Sequence, residues 1–471
     1  MPNLLAEVSI APRIRARGIR LRPAMDLGFA TVILAWPAIY NGFPLLYPDT
    51  MTYLADGRTV ARALFLHQFS EYYGMRSLIY SLVILPLHQN RTAWPIMVLQ
   101  CFLAAWMLRL LVRCTVPAVA GSMFLVVAAV LSAISALPWC ASLVLPDVLG
   151  SLVYPAMFLL ARAPEKLSRG DKIALCVFAL LGIASHITFF VIATAVCLLL
   201  LFLPGRSLRG AAAAAGCIAA AAACTLALNA WLYGHPSLSG DRPPFLAARI
   251  IADGPGRWYL QGQCASLNWV VCAHLDKLSD DSDQMLWASD GLWESLTDDE
   301  QERMLDEETH FVIATVRTYP RAVLQRSASN LWQQLQMFGL KDLEGTQYMA
   351  ASFAQVMPAE RAAYLHSRQA RNALPLQGLS QFQAWMFLAS AVIAPVLLTA
   401  FRGRMPPLLL QLAMVSFFVL LVNAAATGPI SVPEARFQSR VAWLIPFVAE
   451  LCVAAWLLER RRSSIRSGPD A

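Results

Sequence analysis

The sequence predicts an all-α polytopic membrane protein with about 10 transmembrane helices (roughly 9–12), interfacial helices in a first outer loop and a mainly helical outer domain. Three observations lead there. Of 471 residues, 58% are hydrophobic and 14% charged, and the mean hydropathy is +0.53, outside the balance of a soluble globular chain. Apolar runs near the length of about 20 residues that crosses a hydrocarbon core recur along the sequence. Short clusters of Arg and Lys fall at alternate ends of those runs, which is the pattern of membrane topology.

The runs lie near 25–45, 94–113, 116–137, 147–162, 172–186, 187–204, 210–232, 384–401, 406–427 and 440–458. Arg13, Arg15, Arg17, Arg20 and Arg22 precede the first run, which lacks a small-residue cleavage site and so reads as an uncleaved signal anchor. Arg109 with Arg113, Arg162 with Lys166 and Arg169, Arg206 with Arg209, Arg402 with Arg404, and Arg460 to Arg462 mark the cytoplasmic ends. Both termini are then cytoplasmic, and the loops at 46–93, 138–146, about 186, 233–383 and 428–439 lie outside. The organisation follows: a basic N-terminus (1–24), an N-terminal membrane domain (25–232) with its first outer loop, a periplasmic segment (233–383), C-terminal membrane helices (384–458) and a cytoplasmic tail (459–471). The net charge of +7 is spread over these clusters and forms no continuous basic face, so nucleic acid is not an expected partner. The Ala/Arg-rich composition points to a bacterial inner membrane; the sequon Asn90-Arg91-Thr92 would matter only in a eukaryotic secretory pathway.

Ser77 to Leu87 is apolar but only about half the length of a span, and reads as a re-entrant or interfacial helix. A full crossing there would turn the later basic clusters outward. The run from Gly210 to Cys224 is nearly all alanine and reads as a packing helix that neighbours approach closely. No internal repeat is evident, so an inverted-repeat transporter is not indicated. In the outer segment, Thr297 and Glu300 form a capping box before an acidic helix running to about Thr318. Pro320 starts a second helix carrying Leu324, Leu331 and Leu335, and a third is expected from about Pro358 to Arg371.

Five residues stand out as carriers of chemistry. Asp49 follows Pro48 in the first outer loop, where it either caps a helix starting near Thr50 or meets a substrate, and the two roles can coexist. Asp147 follows Pro146 at the outer end of a span, in apolar surroundings where an acid is costly and functional by default, unless it only exploits a helix N-terminus. His186 sits at the outer turn between two apolar helices, either as a packing residue or as a phosphate, metal or acceptor ligand. Arg436 and Arg440 are four apart on one helical face in the last outer loop, where their partner is a lipid phosphate or simply head groups. Most of the ten Cys residues are isolated in apolar runs, but Cys264 and Cys272 share a polar outer segment and are expected to form a disulfide. No nucleotide-binding or serine-hydrolase motif is present.

An N-terminal anchor, an Asp in the first outer loop, interfacial helices, Pro146-Asp147 opening a later span and an Arg before the last span together resemble the GT-C superfamily of glycosyltransferases. The nearest relatives in layout are the lipid A aminoarabinose transferases and the protein O-mannosyltransferases. The likeness covers about residues 25–200. It departs from the pattern at Pro48-Asp49-Thr50, which replaces an Asp-Glu pair, and in the outer segment. The resemblance implies that Asp49 is the catalytic base and Asp147 the second acid. It also implies a polyprenyl-phosphate-linked sugar as donor, a glycan, lipid or protein as acceptor, and membrane lipid as the surroundings. A divalent cation (Mg or Mn) held by Asp49 and Asp147 would be compatible with it. The competing expectation is a transporter or flippase of a lipid-linked saccharide, or a non-catalytic scaffold presenting the outer domain.

Overall fold

A computed structural model describes residues 18–70, 76–119, 121, 123–205, 207–240 and 242–466, with side chains in the two terminal helices from Ala24 to Arg461. Arg13, Arg15, Arg17, Arg206, the side chains of Arg20, Arg22 and Arg462, and the tail beyond Arg466 lie outside the described residues.

The chain enters by α1 (Gly18–Leu34) and the short α2 (Trp36–Asn41), turns into the hairpin of α3 (Pro48–Leu66) and α4 (Leu78–His88), and leaves along α5 (Trp94–Thr115). It returns by α6 (Phe124–Ile134) and α7 (Leu137–Ser142). Then α8 (Asp147–Arg162), α9 (Arg169–Ala184), α10 (Ile187–Phe202) and α11 (Leu208–Tyr233) follow one another. The segment between α11 and α19 is built from α12 (Phe245–Ala252), α13 (Pro255–Gln263), α14 (Ser282–Trp287), α15 (Asp298–Thr318), α16 (Pro320–Gln336), α17 (Gln347–Val356) and α18 (Arg361–Leu365). α19 (Leu376–Ala400), α20 (Pro407–Thr427), α21 (Ala435–Ala442) and α22 (Leu444–Arg466) complete the fold.

Contacts at the helix termini define two ends of the bundle. At one, Arg109 reaches Asp26 (3.5 Å), Arg113 reaches Asp171 (2.7 Å), Lys166 donates to the Cys114 carbonyl (2.7 Å), and Arg162 donates to Gln411 Oε1 (2.9 Å) and to the Pro204 carbonyl. At the other, Leu45 pairs with Leu143, the Ser77 hydroxyl donates to the Ala184 carbonyl (2.7 Å), and Gln383 donates to the Ser135 carbonyl (3.2 Å). Arg109, Arg113, Arg162 and Lys166, from two of the basic clusters placed at alternate helix ends, thus share one end of the molecule.

Helix lengths support part of the span estimate. Five described helical segments are long and apolar enough to cross a membrane: Trp94–Thr115, Leu208–Tyr233, Leu376–Ala400, Pro407–Thr427 and Ala435–Arg461. The run at 116–137 yields an apolar helix of 11 residues, Phe124–Ile134, and that at 25–45 yields Ala24–Leu34 before Pro37 opens α2. Those at 147–162, 172–186 and 187–204 yield helices of 16 residues. In the runs at 25–45 and 116–137 the apolar composition outlasts the helix, which a proline-led turn or a cap ends first, whereas α8 fills its run completely.

The stretch at 77–87 is α4, 11 residues long, and it folds back on α3. Gly57 makes that approach possible: a Cβ there would sit 2.5 Å from the Ser81 carbonyl oxygen. Tyr53 and Tyr80 meet edge to face at 4.9 Å across the same seam.

The segment from 233 to 383 is two pieces. Residues Ala247 to Phe311 make their own small core, and Cys264 and Cys272 are joined by a disulfide beside it. The stretch from Leu340 to Leu376 belongs to the main core, where Phe353 and Tyr364 pack on Phe43. The helix expected over Pro358–Arg371 is a short 3-10 turn at Pro358–Glu360 followed by α18, which stops at Leu365; the Ser367 hydroxyl then accepts from the Ala370 N–H, while Gln369 and Asn372 donate to the Leu343 and Gly345 carbonyls of a neighbouring stretch. Leu324 of α16 is exposed.

Candidate functional site

Two stretches with one pattern, Leu45-Leu46-Tyr47-Pro48-Asp49 and Leu143-Val144-Leu145-Pro146-Asp147, lie side by side. The Leu45 N–H donates to the Ser142 carbonyl and the Val144 N–H to the Leu45 carbonyl, both at 2.9 Å, an isolated parallel bridge in an otherwise helical protein. Parallel register carries the consequence. Each Asp follows its bridge residue by the same number of positions, so both carboxylates arrive at one level. Each also stands in the first turn of a helix, α3 or α8, where the helix dipole favours a negative charge. Proline at the helix start sets φ and forfeits no hydrogen bond there.

The pairing is pinned from several sides. The Thr50 hydroxyl donates to the Val144 carbonyl (3.0 Å) and accepts from the Tyr47 N–H (3.0 Å), so Thr50, not Asp49, closes the start of α3. Gln369 accepts from the Leu46 N–H (3.0 Å) and donates to its carbonyl (2.8 Å), while Gln100 donates to the Leu145 carbonyl (2.6 Å). Buried amides thus satisfy the backbone of both loops, which would otherwise be left with unpaired groups.

Three arginines converge on the two acids. Arg76, just before α4, donates to Asp49 Oδ1 at 2.7 Å. Arg440 donates to Asp147 Oδ1 at 3.2 Å, to Asn423 Oδ1 at 3.0 Å and to the Thr188 hydroxyl at 3.3 Å. Arg436 lies between the acids, its Nη1 at 3.6 Å from both Asp49 Oδ2 and Asp147 Oδ2, with Glu434 Oε2 at 3.4 Å from Nη2. Its guanidinium stacks over Tyr47 (4.0 Å), and both it and Arg440 lie over the Phe437 ring. Arg440 is 1% exposed and Asp147 5%, so neither charge could be held there alone. Burial pushes the Glu434 carboxyl up to about 7 against the opposing pull of Arg436.

The expected site residues fare differently. Asp49, Asp147, Arg436 and Arg440 form one cluster, in which the partners of the two arginines are carboxylates of the same chain. His186 caps α10: its Nδ1 lies 2.9 Å from the Thr188 hydroxyl and accepts from the Thr188 N–H (3.2 Å), so it reaches Arg440 only through Thr188. Burial, then Arg440, push this imidazole down to about 3, so in the ligand-free protein it is neutral at pH 7. Cys264 and Cys272 lie away from the cluster, in the small outer core. The cation pairing of Asp49 with Asp147 does not fit the donor set: a guanidinium occupies the space between them, and no three His, Cys, Asp or Glu side chains are grouped for a metal among the described residues.

Arg76, Glu434, Asn423 and Asp342 belong to the site and were not singled out from the sequence. The repeated Leu-x-x-Pro-Asp pattern was the available signal for the pairing; the four partners carry none, since they are fixed only by tertiary contact. Compared with known proteins, the chain matches no family model, no curated protein and no solved structure.

Proposed function

We propose that this chain is a GT-C type glycosyltransferase of a bacterial inner membrane. It transfers a sugar from a polyprenyl-phosphate donor to an acceptor at the outer face, with Asp49 as general base. In this reading ten helices, α1, α5, α6, α8, α9, α10, α11, α19, α20 and α22, cross the bilayer, the basic end is cytoplasmic, and both termini are inside. The shorter helices match a locally thin hydrocarbon layer or continue through their flanking turns.

The observation that carries the proposal is the parallel pairing that sets Asp49 and Asp147 around Arg436. The acceptor hydroxyl gives its proton to Asp49, its oxygen bonds the anomeric carbon, and the bond from that carbon to the phosphate oxygen breaks, leaving polyprenyl phosphate with the electron pair. Arg76 engages Asp49 Oδ1, whereas Oδ2 meets Arg436 only at 3.6 Å and retains capacity to accept a proton. Arg440 is committed to Asp147, Asn423 and Thr188, but Arg436 has long ion contacts and an Nε without a partner, so it is the arginine available to the phosphate. Asp147 positions both arginines.

Placement of the cluster at one end of the bundle favours an enzyme over a flippase, whose site belongs near the midplane. The test is transfer from a radiolabelled prenyl-phosphate sugar in membranes carrying Asp49→Asn. Loss by about a hundred to ten thousand fold is expected for removal of a general base; transfer at the wild-type rate by folded Asp49→Asn would falsify the assignment.

A further inference from the structure

Glu434 ends the loop after α20, and Gln334 of α16 holds its backbone from both sides. The Glu434 N–H donates to Gln334 Oε1 (3.0 Å), and its carbonyl accepts from Gln334 Nε2 (2.7 Å). The carboxyl therefore stands at a fixed place beside Arg436. Asp49 and Asp147 share that guanidinium, but each has a second arginine of its own, Arg76 at 2.7 Å and Arg440 at 3.2 Å. Glu434 has none: among the described residues Arg436 is its one ion-pair partner.

The charge balance then points to Glu434. Asp49, Asp147, Glu434 and Asp342, which accepts from the Arg436 N–H at 2.7 Å, face Arg76, Arg436 and Arg440. With every group ionised the cluster is already one negative charge in excess, and an incoming phosphate would add to it. The acid without its own arginine is the one that relieves the excess by holding a proton.

We infer that Glu434 is a specificity-determining residue that admits an anion to Arg436 only while its own carboxyl is protonated, so lipid-phosphate binding and protonation of Glu434 are linked. This rests on the reading of Arg436 as the phosphate-binding arginine. The groups around Glu434 agree with it: burial raises its pKa to about 7, Arg436 lowers it, and Asp342, Asp283 of α14 and Asp49 raise it. Below that pH Glu434 is neutral and Arg436 can engage phosphate; above it, carboxylate and phosphate compete for one guanidinium. Affinity for an anion of constant charge therefore falls by up to about tenfold per pH unit above about pH 7.

The experiment is calorimetric binding of methyl farnesyl phosphate, a diester that stays singly charged, to the full-length protein in a neutral detergent from about pH 6 to about pH 9. The wild type should lose affinity above about pH 7 and Glu434→Gln should bind equally across the range. A parallel fall in both proteins, or no fall in either, overturns the linkage while leaving the phosphate site standing. Absence of binding by the wild type at every pH removes the phosphate site itself. Should Glu434→Gln not fold, wild-type titrations near pH 7.5 in two buffers of different ionisation enthalpy decide the matter: net proton uptake on binding is expected, and zero uptake overturns the inference.

Discussion

The two ends of the helix bundle are both rich in arginine and use it in opposite ways. At the basic end the cations meet neutral acceptors as well as acids: Arg162 bonds Gln411 and a carbonyl, Lys166 a carbonyl, while Arg109 and Arg113 pair with Asp26 and Asp171 one to one. At the other end Arg76, Arg436 and Arg440 are taken up by Asp49, Asp147 and Glu434 inside the protein. A rim in which some cations meet only neutral acceptors suits anionic head groups. A compensated cluster suits a site where charge is rearranged when a ligand arrives. Charge sign alone would have equated the two.

Removing one arginine from each end sharpens the contrast. Arg440→Ala leaves Asp147 buried with only Arg436, which it shares with Asp49 and Glu434, and a loss of about 3–5 kcal/mol is expected for breaking a buried pair. Arg162→Ala leaves only neutral groups unpaired, and a loss of about 1–3 kcal/mol is expected. Thermal unfolding in detergent compares them; equal losses would erase the distinction between the ends. Asp171→Asn, which breaks the half-exposed pair with Arg113, should shift stability by no more than about 1 kcal/mol.

A smaller effect concerns the outer part. Cys264→Ser should expose the Cys272 thiol to a membrane-impermeant maleimide while leaving the main core intact, because that disulfide borders only the small core around Ala247 to Phe311. Unchanged labelling at Cys272 would argue against the bond in cells.

Much of this arrangement was legible before any coordinates, and the limits have physical causes. The apolar runs and basic clusters located the bundle and its two ends, because burial in lipid and the retention of cations on one side act on composition directly. Helix ends were misjudged at 116–137 and 25–45, since hydropathy does not register where a proline or a cap stops the backbone. Asp49 and Asp147 were visible as isolated acids in apolar contexts. Their union was not, because register depends on one backbone bridge between residues almost a hundred positions apart. Arg76 and Glu434 lie in polar stretches where an ionic residue is unremarkable, and only the fold turns them inward.

The most direct test of the account is which side each end faces. With the exposed Cys224 replaced by Ser, Glu302→Cys on α15 and Gly403→Cys between α19 and α20 would be treated with an impermeant maleimide in intact spheroplasts. Position 302 should label at once and position 403 only after the membrane is permeabilised. Labelling of 403 from outside, with 302 protected, would place the acid and arginine cluster in the cytoplasm and contradict the account.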